Sequence, residues 1–362
     1  MNRFRSNISS LEGYAPGEWP ALDAGVDKLN SNENPYPPSP KVLAALSDMS
    51  AELLRRYPDP LAKDFCRAVS ETFGVPAEWV IAGNGSDDLL TLLVRACAEG
   101  DSRKLAYPMP TYVLYRTLAA IQPAAVVEVP YVQEGTDWIL PVDELLKTDA
   151  AVTLIATPNS PTGHIVPVSD LKRLASGLSG VLVVDEAYVD FAVNATGADA
   201  DLASLALVRE FENVIVLRTL SKGYGLAGLR LGFGIAQPGL LAGLLKIKDS
   251  YNVDAIALKL GEAAIRDQDY KQATVQKIVA ARAQLARDLK TLGCFVWPSQ
   301  TNFLLVQPPP DTAEKLYKSL KKRNIMIRYF AQPGLDDKLR ITVGTPEQNQ
   351  KMIKEIAQVL GN

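Results

Sequence analysis

Histidine is almost absent from this sequence, because His164 is the only one among 362 residues. This scarcity excludes any metal site that needs two imidazole ligands, and a serine–histidine triad would depend on this single residue. His164 follows a turn, where a histidine is more often a loop residue with satisfied hydrogen bonds than a catalyst. We therefore expect no metal site, and an enzyme built on this chain would use other side chains.

Cysteine is scarce too, and long apolar runs are missing. Cys66, Cys97 and Cys294 are odd in number and widely spaced, which fits neither a disulfide framework nor a C-x-x-C metal site. Arg3 and Arg5 are not followed by an apolar signal segment, and no run approaches the ~20 apolar residues that cross a bilayer. We expect a cytoplasmic protein that is neither exported nor embedded in a membrane.

A strong charge of either sign is absent. Lys and Arg total 38 against 41 for Asp and Glu, which gives a net charge of −3. Nucleic acid and anionic lipid are therefore not expected partners. Hydrophobic residues make up 47% and charged residues 22%, as in ordinary globular chains. At roughly 150 residues per domain, the length allows about two domains.

Pro, Gly, Asn and Ser are common in residues 1–40, which predicts an extended N-terminal arm. From residue 41 to 253, short apolar runs alternate with helical patterns. This alternation predicts a large α/β domain with a mainly parallel sheet covered by helices on both faces. The runs predicted as strands are 80–82, 105–107, 125–129, 152–156, 181–184 and 214–217. Residues 254–362 begin with a long helical stretch and predict a smaller α+β domain.

Two charged side chains follow apolar strands at the sheet edge where such folds bind ligands. Asp185 comes directly after Val181–Val184; its carboxylate could pair with a protonated heterocycle nitrogen, or could simply cap a helix or face solvent. Lys222 follows the strand that ends near Leu217. A lysine amine in an apolar cleft can attack a carbonyl to form a Schiff base, although a surface lysine is the alternative.

Two glycine-rich segments could contact phosphate. Gly83–Asp88 leads into a predicted helix, so its backbone N–H groups and the Ser86 hydroxyl could bind a phosphate, or it could be a capping turn. Asp87 argues against a nucleotide triphosphate loop, which would need a lysine. Gly223–Gly228 matches the dinucleotide pattern G-x-G-x-x-G. It lies several residues beyond its strand and leads into another, however, which disfavours hydride transfer.

A rigid turn and two arginines complete the candidate set. The Pro158–Gly163 turn should hold Asn159 at the same sheet edge as the residues after the neighbouring strands. Arg230 and Arg340 lie beside or within strand-like segments. Such arginines are often ion-paired surface groups, but two of them in one crevice would suit a phosphate and a carboxylate.

In this order, these segments resemble the fold type I pyridoxal-phosphate aminotransferases, and most closely the histidinol-phosphate aminotransferases. The segments that carry the general resemblance are 83–87, 158–163, 185–188, 221–223 and 228–232. Those that carry the closer one are Asn32-Glu33-Asn34-Pro35, Arg56-Tyr57-Pro58-Asp59, Thr219-Leu220-Ser221-Lys222, Ala227-Gly228-Leu229-Arg230 and Leu339 to Thr345. The match spans nearly the whole chain. Its departures are minor: the glycines around Tyr224, and Asp88 where Glu is common.

The resemblance implies a role for each residue at the cofactor. Lys222 would form the internal aldimine and carry the proton, and Asp185 would pair with the pyridinium nitrogen. Asn159 and Tyr188 would bind the ring hydroxyl oxygen, and Tyr112 would stack on the ring. The residues implied to hold the phosphate or line its site are Gly85, Ser86, Asp87, Thr219, Ser221 and Arg230.

The resemblance also implies the substrate contacts and the assembly. Arg340 and Arg328 would bind the distal anion of the substrate, with Asn159 beside it, and Tyr14 on the arm would close over it. Tyr57 would reach the phosphate in the neighbouring subunit, which implies a homodimer.

The implied reaction is a ping-pong transamination between a small-molecule amino donor and a 2-oxo acid. The expected pairs are histidinol phosphate with imidazole-acetol phosphate, and glutamate with 2-oxoglutarate. An aromatic or broad-specificity aminotransferase and a decarboxylase of phosphorylated amino acids are alternatives. A non-catalytic ligand-sensing regulator is disfavoured, because no segment is left for DNA binding and the charge is nearly neutral.

Overall fold

The computed structural model describes residues 3–11, 20–21, 25–193 and 203–361. Its strands are β1 (Asp27–Lys28), β2 (Val80–Gly83), β3 (Gly100–Met109), β4 (Ala124–Pro130), β5 (Val132–Glu134), β6 (Asp137–Ile139), β7 (Val152–Ala156), β8 (Val181–Asp185), β9 (Val214–Thr219), β10 (Gly232–Ala236), β11 (Phe295–Val296), β12 (Phe303–Gln307), β13 (Ile325–Met326), β14 (Arg328–Tyr329) and β15 (Leu339–Thr342).

The helices frame these strands along the chain. They are α1 (Ser6–Ser9), α2 (Pro40–Ser47), α3 (Ala51–Arg55), α4 (Lys63–Phe73), α5 (Ser86–Cys97), α6 (Leu114–Ile121), α7 (Val142–Leu146), α8 (Val168–Gly177), α9 (Ala203–Glu210), α10 (Pro238–Leu245), α11 (Ala255–Ile265), α12 (Gln268–Thr291), α13 (Ala313–Lys322) and α14 (Pro346–Leu360). Within the described ranges, no helix is both long and apolar enough to cross a membrane.

A seven-stranded sheet in the order β2-β10-β9-β8-β7-β3-β4 forms the centre of the molecule. Its strands are parallel except β10, which pairs antiparallel with both β2 and β9. The strand runs predicted from apolar residues at 152–156, 181–184 and 214–217 correspond to β7, β8 and β9. The predicted α/β fold with a mainly parallel sheet is confirmed.

Alternate residues of the central strands pack on opposite faces of the sheet. Val184 and Val216 join the apolar cluster that contains Phe65 of α4. Val183 and Leu217 join the cluster on the other face, with the leucines of α5. Since successive strand side chains point to opposite faces, only a continuous apolar run can fill both layers.

A second sheet forms from the C-terminal part of the chain. It is antiparallel, in the order β11-β12-β15-β14, and packs with the apolar faces of α12, α13 and α14. Helix α14 is bounded by a capping box between Thr345 and Gln348 and by Gly361 at φ 81°, the expected signals for a helix start and stop. Strand β1 belongs to the stretch that precedes α2, here called the N-terminal segment (residues 25–39), and it pairs in parallel with β13.

The long helical stretch predicted from residue 254 to Leu292 is two helices, α11 and α12. The helical conformation is interrupted at Asp267, between α11 and α12. Asp267 is buried and accepts hydrogen bonds from Ser39 and Lys41 at the start of α2. This long-range contact fixes the turn between the helices. Helical periodicity alone does not reveal it.

A buried ion pair joins the ends of β8 and β9. The Arg218 guanidinium donates from Nε to Oε2 of Glu186, and its Nη2 lies 2.7 Å from the same oxygen. Both side chains are almost fully buried. The guanidinium also lies over the Phe73 ring, 4.8 Å from its centroid. Because each charge has lost its water, each depends on the other.

Replacing Arg218 by Met should therefore destabilise the fold strongly. The Glu186 carboxylate would stay buried without the Arg218 guanidinium, and we expect the free energy of unfolding to fall by about 3–5 kcal/mol in urea titrations. The matched control is Lys172→Met, which breaks the exposed Lys172–Glu210 pair and should cost about 0–1 kcal/mol. Equal losses in the two variants would contradict the importance of the buried pair.

Candidate active site

Three segments that sequence analysis singled out meet at one edge of the central sheet. The register aligns Ala156 with Asp185 and Asp185 with Leu217, the positions at or near the ends of β7, β8 and β9. Thr157–Gly163, Asp185–Tyr188 and Arg218–Lys222 therefore emerge side by side. This is the edge where open α/β sheets bind ligands.

Asp185 is a buried carboxylate whose hydrogen-bond donors among the described residues are both neutral. It is 5% exposed, and its two oxygens accept from the Tyr115 hydroxyl at 2.8 Å and from the Ala187 N–H at 3.2 Å. Burial raises the pKa of Asp185 to about 6, although these two hydrogen bonds act in the opposite direction. A cation placed beside it would favour the ionised carboxylate.

Lys222 lies half-buried between the N-terminal segment and Tyr188. Its Nζ donates to the Ser31 carbonyl at 3.1 Å and lies 5.8 Å from the centroid of the Tyr188 ring. The Asn34 side chain donates to the backbone carbonyls of Lys222 and Gly223, each at 3.1 Å. The backbone that carries the amine is therefore held by residues that precede the large sheet.

A cradle of hydrogen-bond donors lies at the start of α5. Gly85 adopts φ 81° at the N-cap, and no side chain caps the helix. A Cβ at this glycine would lie 2.8 Å from Nη2 of Arg230, so a larger residue would displace the guanidinium. Free N–H groups at a helix start and an arginine together form an anion-binding site.

Arg230 itself has the left-handed φ of 51°. From there its guanidinium donates to Ser221 Oγ at 3.3 Å and to Asp87 Oδ2 at 3.2 Å. The Thr219 hydroxyl donates to Ser221 Oγ at 3.0 Å, and the Tyr112 hydroxyl donates to Asp87 Oδ1 at 3.3 Å. The structure thus brings together the residues predicted at the phosphate.

A cavity of about 640 Å³ opens beside this cradle, lined by Asn84, Asp87, Asp88, Thr91, Tyr112, Leu114 and Arg230. Burial, together with the neighbouring charge of Asp87, raises the pKa of Tyr112. The segment Gly223–Gly228 leads through a 3-10 turn at Ala227–Leu229 into β10. It does not open a helix as a dinucleotide-binding loop does.

Asn159 is fully buried, and its side-chain amide forms hydrogen bonds within the protein. Its Nδ2 donates to the Pro110 carbonyl at 3.0 Å and to Thr162 Oγ1 at 2.7 Å, while its Oδ1 accepts from Thr111 at 2.8 Å. Both amide hydrogens therefore have partners within the protein. The other residue predicted at the ring oxygen, Tyr188, accepts from Asn32 Nδ2 at 2.8 Å.

Arg340 on β15 and Arg328 on β14 lie directly opposite each other in the antiparallel strand register. The Arg340 guanidinium lies over Phe303 and Phe330, 5.3 and 5.8 Å from the ring centroids, and donates to Ser160 Oγ and the Asn30 carbonyl. Its Nε is buried without a partner, and burial lowers the pKa of Arg340. In the described part of the chain, no carboxylate forms an ion pair with either arginine.

The remaining predicted residues lie elsewhere. Tyr14 falls outside the described residues. Tyr57 is 81% exposed and stacks on Tyr251, with ring centroids 4.5 Å apart. His164 is packed 4.7 Å from the Tyr131 ring, and burial lowers the pKa of His164 to about 4. It is therefore neutral at pH 7. Its Nδ1 lies 2.7 Å from Thr162 Oγ1, but its Nε2 is buried without a hydrogen-bond partner among the described residues, so the expected loop histidine with satisfied hydrogen bonds is only partly observed.

Among the site contacts that were not found from the sequence are those of Tyr115 with Asp185 and of Asn32 with Tyr188. Tyr115, which donates to Asp185, lies on α6 three residues after Tyr112, where it looks like an ordinary core position. Asn32, which donates to Tyr188, belongs to a motif that carried the family resemblance but received no role. Hydrogen bonds between residues so far apart in the chain leave no local pattern.

Asp185→Asn should stabilise the ligand-free protein at neutral pH. With a pKa of about 6 when folded against about 3.9 in an unfolded chain, ionising this carboxyl costs free energy above pH 6, and the cost vanishes below about pH 4. Urea titrations should give the variant an advantage of about 2–3 kcal/mol at pH 7.5. A wild-type protein that is the more stable one at pH 7.5 would contradict the cost of the buried charge.

Comparison with known proteins identifies the family of this chain. The family model described as aminotransferase class I and II matches residues 25–356. Histidinol-phosphate aminotransferase 1 of Nostoc sp. is 58% identical over 359 residues, which cover 99% of this chain and 98% of the relative. The histidinol-phosphate aminotransferase of Syntrophotalea carbinolica is 41% identical, with 99% and 100% covered.

A solved structure shows the same architecture. It is the histidinol-phosphate aminotransferase from Sinorhizobium meliloti in complex with pyridoxal-5'-phosphate, which superposes with a TM-score of 0.88 at 26% identity and covers 100% of this chain and 98% of its own. The predicted family resemblance is thereby confirmed. The chain belongs to the class I and II aminotransferase family, in which its curated relatives at 41 to 58% identity are histidinol-phosphate aminotransferases.

Proposed function

We propose that the protein is a pyridoxal-phosphate-dependent aminotransferase that interconverts histidinol phosphate and 2-oxoglutarate with imidazole-acetol phosphate and glutamate, as a step in histidine biosynthesis. The observation that carries this proposal is the convergence of a lysine amine, a buried carboxylate and an anion cradle at one sheet edge. The names of the relatives support the choice of substrate. We assign the site residues from the contacts described above.

The cradle fits the phosphate end of the cofactor. It offers the uncapped start of α5, the Ser221 hydroxyl and the Arg230 guanidinium, with Gly85 leaving room where a Cβ would meet Arg230. In the structure, Arg230 is paired with Asp87. A phosphate, with more charge and more acceptor oxygens, would compete for that guanidinium.

The other end of the site fits a cationic ring. When bound, the cofactor supplies an electron sink for the pair released at the substrate carbon. Asp185 would hold the ring nitrogen in its protonated form, because an ion pair compensates the buried carboxylate. Lys222 would hold the cofactor through Nζ and, once released, move the proton at the substrate carbon with the same atom. Tyr188 would orient the ring through its hydroxyl oxygen, and Asn159 would join it by exchanging one of its amide hydrogen bonds, to Pro110 or Thr162, for that oxygen.

Arg340 and Arg328 provide the site for a distal anion. Arg340 Nε is buried without a partner, and the absence of an ion-paired carboxylate among described residues leaves its charge for a ligand. A guanidinium binds both phosphate and carboxylate in a bidentate manner. One site can therefore accept the phosphate of histidinol phosphate and then the carboxylate of 2-oxoglutarate in the two halves of a ping-pong reaction.

We propose that two copies assemble, with Tyr57 of one reaching the cofactor phosphate of the other. The stacked pair of Tyr57 and Tyr251 is exposed beside an apolar cavity of about 470 Å³ lined in part by Leu61, Leu245 and Tyr251. Exposed apolar patches of this kind mark interfaces.

We propose that the protein works in the cytoplasm. The three cysteines are unpaired, which is consistent with a reducing compartment.

We also retain the predicted division into an arm (residues 1–40), a large domain (41–253) and a small domain (254–362). The pairing of β1 with β13 supports an arm that packs on the small domain. In this arrangement Arg328 and Arg340 come from the small domain, and Lys222 and Asp185 come from the large one. Substrate would then bind where the two meet.

A substrate panel on the purified, cofactor-loaded protein tests the proposed reaction. With 2-oxoglutarate as acceptor, we expect kcat/KM for histidinol phosphate to exceed that for phenylalanine by about tenfold or more, with no CO2 released from threonine phosphate. Lys222→Ala should lower kcat by about 10²–10⁴-fold.

Each other outcome points to a specific alternative. Faster turnover of phenylalanine would indicate an aromatic or broad-specificity aminotransferase, and CO2 release would indicate a decarboxylase. Undiminished turnover in Lys222→Ala would contradict the catalytic role of the lysine. Absence of turnover with every substrate, in a protein that still binds them, would favour a ligand-sensing role.

A further inference from the structure

The hydrogen bonds around Asn32 fix the direction in which the Tyr188 hydroxyl can donate. Asn32 is 1% exposed and has the left-handed φ of 57°. It belongs to the N-terminal segment, whereas Tyr188 follows β8. The contact between them joins parts of the chain separated by 156 residues.

The Thr342 hydroxyl sets the orientation of the Asn32 amide. Thr342 Oγ1 accepts from the Asn32 backbone N–H at 3.0 Å. Its single hydrogen is therefore available to Asn32 Oδ1, which lies 3.1 Å away. The Asn302 side chain donates from Nδ2 to the Asn32 carbonyl at 2.9 Å. With its oxygen bound to Thr342, the amide presents its nitrogen to Tyr188.

This orientation leaves one role for the hydroxyl of Tyr188. Asn32 Nδ2 donates to that oxygen at 2.8 Å, so the tyrosine is the acceptor in this bond. A phenol has one hydrogen, and that hydrogen stays free to donate to a group on the other side. Among the described residues, the titratable groups that interact with Tyr188 include Lys222, with Nζ 5.8 Å from the ring centroid, and Arg340 and Tyr112, whose pKa values a charge on Tyr188 would raise.

We propose that Asn32 is a positioning residue that makes Tyr188 a hydrogen-bond donor to the ring oxygen of the cofactor. This inference rests on the proposed function, since it places the cofactor beside Tyr188. Asn32 does not touch the cofactor in this scheme and acts only through the tyrosine. A donated hydrogen bond stabilises negative charge on the ring oxygen, which influences the pH at which the bound chromophore titrates.

Asn32→Asp tests this direction with little change of shape. Aspartate tolerates the left-handed backbone as asparagine does, but its carboxylate would accept the Tyr188 hydrogen instead of donating one. The ring oxygen would lose its donor. We expect the midpoint of the pH titration of the visible absorption band to rise by about 1 pH unit. Asn324→Asp, an exposed site with φ 60°, is the matched control and should leave the midpoint unchanged.

A double-mutant cycle separates the effect that Asn32 exerts through the Tyr188 hydroxyl from the direct effect of the negative charge added by aspartate. In a Tyr188→Phe background the hydroxyl is gone, so Asn32→Asp should shift the midpoint by clearly less than in the wild type. An equal shift in both backgrounds would show that the charge acts directly and would overturn the inference. If Asn32→Asp does not fold, Thr342→Val, which removes the hydroxyl that orients the amide, should give a smaller shift that also disappears in Tyr188→Phe.

The two proposals fail in different ways. If the wild-type protein mixed with pyridoxal phosphate develops no visible band that titrates, the proposed function itself is wrong. If the wild-type band is present and neither Asn32→Asp nor Thr342→Val moves its midpoint, the role of Asn32 is wrong and the cofactor assignment stands.

Discussion

A carboxylate buried at the end of a parallel strand is the constraint on which the site depends. Asp185 has lost nearly all contact with water and is bonded to a phenol and a backbone N–H. At neutral pH the scaffold therefore carries an electrostatic cost that a cation in the crevice would remove. The rigid neighbours β7 and β9, aligned with β8 in register, place the remaining polar groups around that charge.

The N-terminal segment connects this sheet edge to the second sheet. Four of its residues bind the site: the Ser31 carbonyl accepts from Lys222, Asn32 donates to Tyr188, the Asn30 carbonyl accepts from Arg340, and the Asn34 side chain donates to the Lys222 and Gly223 carbonyls. Residues that bind the proposed cofactor and residues that bind the proposed substrate anion are thus held by one short stretch. A displacement of this stretch would therefore alter the contacts of Lys222, Tyr188 and Arg340 together.

Much of this arrangement could be predicted from the sequence because its signals are local. The apolar runs of β7, β8 and β9 predicted buried parallel strands, and position after a strand was enough to single out Asp185 and Lys222. Contacts formed by distant residues left no such signal, as with Tyr115 beside Asp185 and the break between α11 and α12 at Asp267. The roles of Asn159 and Tyr57 came from resemblance alone and stay predictions.

The central claim is that the Lys222 amine holds an aldehyde cofactor within reach of Asp185. Borohydride reduction of the cofactor-loaded protein, followed by peptide mapping in a mass spectrometer, tests it most directly. The account predicts that the mass of the reduced cofactor is found on the peptide that contains Lys222, and that this label is lost in Lys222→Ala. A label on another lysine, or none in a protein that binds pyridoxal phosphate, would contradict it.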